Sequence, residues 1–110
     1  MLKMAKFINT KKCIHLHMTR WATWTKKVSS YGRDQLCVII TRSALQEAGA
    51  DKGDLVVGAL LGPSGRWAPF TKRISVTGSS KCIYLDNVLA EAAGALRGDV
   101  VEVRIRRLEP

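Results

Sequence analysis

At 110 residues with 46% apolar side chains, the chain is long enough for one compact domain, or two interlocked halves, with little core to spare. Its formal net charge of +9 selects an acidic partner, nucleic acid ahead of an anionic membrane surface. Three cysteines, an odd number, and the lack of any apolar run of signal-peptide or bilayer-spanning length argue against a disulfide framework and a transmembrane helix, so a soluble, cytoplasmic protein is expected.

Residues 1–19 form a basic arm carrying Lys3, Lys6, Lys11 and Lys12. The charge is uneven, since residues 1–33 hold eight Lys or Arg and no acid. Within the arm, Cys13-Ile14-His15-Leu16-His17-Met18 alternates, which in a strand puts Cys13, His15 and His17 on one face. These are metal-ligand types, but three ligands from one short strand seldom converge on an ion without a fourth from elsewhere. An edge strand with solvent-facing histidines is the preferred reading, and no metal or cofactor is expected.

From residue 20 onward the chain is one short unit written twice. Arg20-Trp21-Ala22 and Thr25-Lys26 return as Arg66-Trp67-Ala68 and Thr71-Lys72, and Gly32 returns as Gly78, all at an offset of 46. Beyond those glycines the offset is 45: Cys37 falls on Cys82, Ala48-Gly49-Ala50 on Ala93-Gly94-Ala95, and Gly53-Asp54 on Gly98-Asp99. Matches in order over the whole length mark a duplication, with repeats at 20–65 and 66–110. Gly62-Pro63-Ser64-Gly65 connects them and is too short to let them stand apart.

Each unit reads as strand, turn, strand, helix, turn, strand. Thr25 to Ser30 and Thr71 to Val76 alternate, so Val28 and Ile74 should point inward while Thr25, Lys27 and Ser29, with Thr71, Arg73 and Ser75, form a polar outer stripe suited to phosphate oxygens or base edges. Gly32 and Gly78 supply the turns into second strands at Leu36 to Ile40 and Lys81 to Leu85, where Cys37 and Cys82 are expected as small buried apolar residues. Ser43 and Gln46 have capping-box spacing ahead of an apolar face of Ala44, Leu45 and Ala48. In the second unit Asp86 can cap a helix that buries Val88, Leu89, Ala92 and Ala93. Gly49 and Gly94 end both helices after about two turns, as left-handed C′ residues do.

The turns at Gly53-Asp54 and Gly98-Asp99 feed final strands at Leu55 to Leu60 and Val100 to Ile105. Asp54 and Asp99 are expected to accept backbone N–H groups within these turns rather than to act as paired catalytic carboxylates. Trp21 and Trp67 are expected to cover the core, and Trp24 and Phe70 to do the same or to stack on a partner. There is no nucleophile–base pair at a recognisable spacing and no phosphate loop, so an enzyme is not expected.

An isoleucine-ended strand, a few polar residues, a short helix closed by glycine, then Gly-Asp and a Val-rich strand resembles the AbrB/MazE superfamily, also called SpoVT/AbrB-like or swapped-hairpin domains, among the cradle-loop barrels. The resemblance covers roughly Thr25 to Leu60 and Thr71 to Ile105. It departs from the family where the usual proline after the strand isoleucine is Thr41 or Asp86, and where the arginine after the turn glycine, kept as Arg33, becomes Ser79. What it implies is a mainly β fold with two short helices, the duplicated units closing one pseudo-twofold barrel within a chain, as a monomeric pseudo-dimer or a homodimer. A single-chain barrel of RIFT or double-psi topology is the alternative. The implied function is double-stranded DNA binding by a transcriptional regulator or nucleoid-associated protein, with Lys26, Lys27, Arg33, Arg42, Lys72, Arg73 and Lys81 as the DNA-binding residues. An antitoxin-like module is a rival that the lack of an acidic tail beyond Leu108 disfavours, and an RNA-binding barrel stacking bases on Trp24, Phe70 and Tyr31 is another.

Overall fold

The computed structural model describes residues 20–108; the basic arm, with Cys13, His15 and His17, and the last two residues lie outside them. The first unit contains β1 (Ala22–Lys27), β2 (Ser29–Tyr31), β3 (Gln35–Ile40), α1 (Arg42–Ala48) and β4 (Leu55–Leu61). The second repeats that order as β5 (Trp67–Arg73), β6 (Ser75–Thr77), β7 (Ser80–Leu85), α2 (Asn87–Ala93) and β8 (Val100–Arg107). The molecule is mainly β with two short helices.

The strands form two antiparallel four-stranded sheets, ordered β1-β8-β4-β5 and β2-β3-β7-β6. Both sheets mix the units. In the first, β1 pairs with the last strand of the other unit (Ala22 opposite Ile105, Lys27 opposite Val100), and β5 pairs in the same way with β4 (Ala68 opposite Leu60, Arg73 opposite Leu55). The central pairs are self-equivalent under the 45-residue offset: Ala59 lies opposite Arg104 in one sheet and Val38 opposite Ile83 in the other.

Alternation explains the core. Ala22, Trp24, Val56, Leu60, Ala68, Phe70, Val101, Val103 and Ile105 face inward from the first sheet, and Val38, Ile40, Ile83 and Leu85 from the second, joined by Ala44, Ala48, Leu89 and Ala93 of the helices. Cys37 and Cys82 are buried free thiols, as expected. They have the opposite parity and lie on the other face of the second sheet. Burial raises both thiol pKa values, that of Cys82 to about 11, so both stay neutral and unreactive near pH 7.

Several sequence expectations need correction. The run Thr25 to Ser30 is two strands, because the chain leaves the first sheet after Lys27 and enters the second at Ser29. Val28 marks the crossing. It is buried, and its backbone bonds the other unit's Gly-Asp turn, Val28 N–H to Asp99 carbonyl at 2.8 Å and Gly98 N–H to Val28 carbonyl at 2.9 Å. Ile74 is held identically by Gly53 and Asp54, both at 2.9 Å. The N-cap of α1 is Thr41, whose hydroxyl accepts from Ala44 N–H at 3.2 Å, and not Ser43, because the helix starts at Arg42 directly after the strand. Asp86 caps α2 as expected, accepting from Leu89 N–H at 2.8 Å, but Val88 is 79% exposed and Ala92 also faces solvent. With only seven residues, α2 can bury one narrow stripe, which Leu89 and Ala93 fill.

Candidate nucleic-acid interface

The outward parity of the first sheet collects a cationic face. Lys27 on β1, Arg104 and Arg106 on β8 and Arg73 on β5 are exposed and share the side opposite the core. Among the described residues, Glu102 is the only acid of that parity in these four strands. Arg104 and Arg106 lie over aromatic rings: the Arg104 guanidinium is 4.2 Å from the Trp67 ring centre and that of Arg106 is 5.2 Å from the Trp21 ring centre. Cation–π contact of this kind fixes a guanidinium while leaving its N–H edge free for an acceptor.

Trp21 and Trp67 therefore do not cover the core; they are 45% and 36% exposed on this outer face. Trp24 and Phe70 take the core positions, and Trp24 Nε1–H donates to the Ile39 carbonyl at 3.0 Å. Neither can stack on a partner's base. Tyr31, 52% exposed, lies on the other sheet beside Tyr84, with ring centres 6.1 Å apart. The polar stripe is also divided: Thr25, Lys27, Thr71 and Arg73 remain on the first sheet, while the crossings at Val28 and Ile74 carry Ser29 and Ser75 onto the second, opposite Cys37 and Cys82.

The seven basic residues read from the sequence fall into three groups. Lys26 and Lys27 end β1 and Arg33 sits in the Gly32 turn, all exposed and without an ion pair among the described residues. Lys72 and Arg73, at the equivalent end of β5, are partly engaged: Lys72 bonds the Asp86 carboxylate at 2.6 Å and Arg73 donates to the Gly53 carbonyl at 3.0 Å. Arg42 and Lys81 come together in a separate cleft beside α1, where Lys81 lies 3.6 Å from the Asp51 carboxylate. Arg104 and Arg106 were missed. Val101, Val103 and Ile105 alternating with Glu102, Arg104 and Arg106 was the signal that could have found them.

Asp54 and Asp99 have the turn role expected of them, their carboxylates accepting from the N–H groups of Asp51 and Leu96, each at 2.8 Å. Among the described residues no three metal-ligating side chains gather, and no helix is long and apolar enough to cross a membrane.

No protein-family model and no curated protein matches the chain. Among solved structures, it is similar to the solution structure of PHS018 from Pyrococcus horikoshii, with a TM-score of 0.57 and 20% identity over 81% of this chain and 94% of that one. At that identity the likeness is one of fold.

Proposed function

We propose that the chain is an AbrB-like pseudo-twofold barrel that binds duplex DNA, as a regulator or nucleoid-associated protein, through the outer face of its first sheet. The observation that carries this is the placement of Lys27 and Arg73 at opposite ends of one cationic face, related by the 45-to-46-residue repeat, with Arg104 at its centre. From Val100, opposite Lys27, to Leu108, whose N–H bonds the Leu55 carbonyl beside Arg73, the strand rises roughly 27 Å, and three strand spacings of about 4.8 Å bring the diagonal to roughly 30 Å. That is close to the roughly 34 Å turn of B-DNA, so two equivalent cationic ends meet phosphates about one turn apart, as a twofold reader does. Lys26 and Arg33 extend the contact beyond the sheet, and the basic arm, which leads directly into Arg20, adds charge to the same complex.

The test is a salt titration of duplex binding. Replacing Lys27 and Arg73 with alanine together should weaken binding to all sequences and lower the slope of log K against log salt by about 1.8, at about 0.9 per phosphate lost. Unchanged affinity and slope in a variant that still folds would place the interface elsewhere.

Exposed Trp21 and Trp67 favour a second reading, single-stranded nucleic acid on the same face, because an accessible indole stacks on any unpaired base. Competition between duplex DNA and single-stranded RNA separates the two.

A further inference from the structure

The two repeats place a cleft at equivalent positions, beside the C-terminal part of each helix and against β7 or β3 of the other unit. The clefts have diverged. The one beside α1 encloses about 510 Å³, within the ordinary range for small-ligand sites, over an apolar floor that includes Ile40, Leu45 and Ala50. Its rim is polar: the guanidinium of Arg42, the ammonium of Lys81 and the hydroxyl-bearing turn Ser79-Ser80. The equivalent cleft beside α2, about 430 Å³, has Asn87 in place of Arg42, Leu36 in place of Lys81, Glu91 in place of Gln46 and Leu96 in place of Asp51. The backbone frame, closed by Gly49 and Ala50 in one and Gly94 and Ala95 in the other, is the same. A side-chain set that only solvated the surface would have no reason to gather two cations and two hydroxyls around one copy of a hollow and neither around the other.

We infer that the cleft between α1 and the Ser79-Ser80 turn binds a small phosphorylated molecule of nucleotide size, with Arg42 and Lys81 holding the phosphate. Arg42 is exposed and has no ion pair among the described residues, so its planar fork is free for bidentate contact with phosphate oxygens. Lys81 is held only loosely by Asp51, at 3.6 Å, and a dianionic phosphate outcompetes a single, solvent-exposed carboxylate. The serine hydroxyls supply the neutral donors that a phosphate needs beyond its two cations. Asp51 stays ionised, its carboxyl held below the usual range by the Lys52 N–H at 2.7 Å and then by Lys81; with the Gln46 amide it offers acceptors for the hydroxyl or amino groups of the ligand body. This inference does not rest on the duplex-binding face, since neither cation belongs to the first sheet.

The test uses amide chemical shifts of the full chain titrated with inorganic phosphate, adenosine 5′-monophosphate and adenosine. The expected result is saturable shifts centred on Gly49, Ala50, Ser79 and Ser80, with the monophosphate binding more tightly than phosphate and adenosine more weakly than either. Arg42→Gln and Lys81→Gln, each singly, should weaken the monophosphate by about tenfold or more, while Asn87→Ala in the equivalent cleft leaves it unchanged. Ser79→Asp, which keeps both cations but adds a negative charge on the rim, should also abolish binding without unfolding. Shifts spread evenly over all exposed cations, equal binding of adenosine and its monophosphate, or wild-type affinity in the Arg42 variant would each overturn the inference. Loss of duplex-DNA binding in the Lys27 and Arg73 variant has no bearing on these outcomes, so the two proposals fail separately.

Discussion

Gly58 on β4 lies opposite Ile105 on β8 in the centre of the first sheet. A methyl group on its Cα would overlap the Arg104 carbonyl oxygen and lie 3.1 Å from Ile105 Cα. Both are backbone atoms of a central strand, so nothing flexible can give way. Gly32 presents the opposite problem, with nothing within 4 Å but a φ of +68°, where only the left-handed backbone is at stake. Gly32→Ala should cost about 1 kcal/mol, while Gly58→Ala should cost about 1–3 kcal/mol or more by forcing the central strands apart. Urea unfolding of the two variants checks the order, and a Gly58→Ala protein as stable as Gly32→Ala would show that the sheet centre is looser than this geometry. The sequence carries no signal for Gly58. It lies inside a strand, its equivalent is Val103, and only the partner strand reveals the crowding. The exposure of Trp21 is legible in the sequence, since the parity that points Val28 inward also points Trp24 inward and Trp21 outward.

At the scale of elements, Asp86 has two tasks. It caps α2 through the Leu89 N–H at 2.8 Å and accepts the Lys72 ammonium at 2.6 Å, tying the helix to β5. The Lys72 contact first, and the capping bond second, lower its pKa. Asp86 thus stabilises the fold above the ordinary carboxylate pKa of about 4 and loses that contribution as pH falls through the lowered folded value. Asp86→Asn keeps the cap and removes the charge, and Asp86→Ala removes both, so the alanine variant should be less stable by about 1 kcal/mol near pH 7. Thermal melts between pH 2 and 7, chosen as roughly spanning the carboxylate range, should show the wild-type advantage over Asp86→Asn disappearing on the acid side. An advantage independent of pH would remove the ion pair from the account. The cap was readable from one residue and its spacing to the helix, whereas the Lys72 contact was not, because it depends on how β5 runs past α2. The same division explains the break at Val28: alternation places the side chain inward, but the partner unit's Gly-Asp turn decides where the chain changes sheets.

For the whole molecule, the decisive fact is how little pairing occurs inside a unit. Within residues 20–65 only β2 and β3 pair with each other; β1 bonds β8, and β4 bonds β5 and β8. Val28 takes both of its backbone partners from Gly98 and Asp99, and Ile74 takes both from Gly53 and Asp54. A single unit therefore leaves strand edges and a buried crossing residue unsatisfied, at a cost no short β-hairpin can offset. Two copies of that unit can satisfy them mutually, because the central registers are self-equivalent: Ala59 would face Ala59 where it now faces Arg104, and Val38 would face Val38 where it now faces Ile83. A chain comprising residues 20–65 should then be unfolded at high dilution and form a homodimer on concentration, with a melting temperature that rises with protein concentration. Sedimentation and melts over a concentration series check this. A folded monomer with a concentration-independent cooperative melt would show that the units do not need each other to complete their strand pairing.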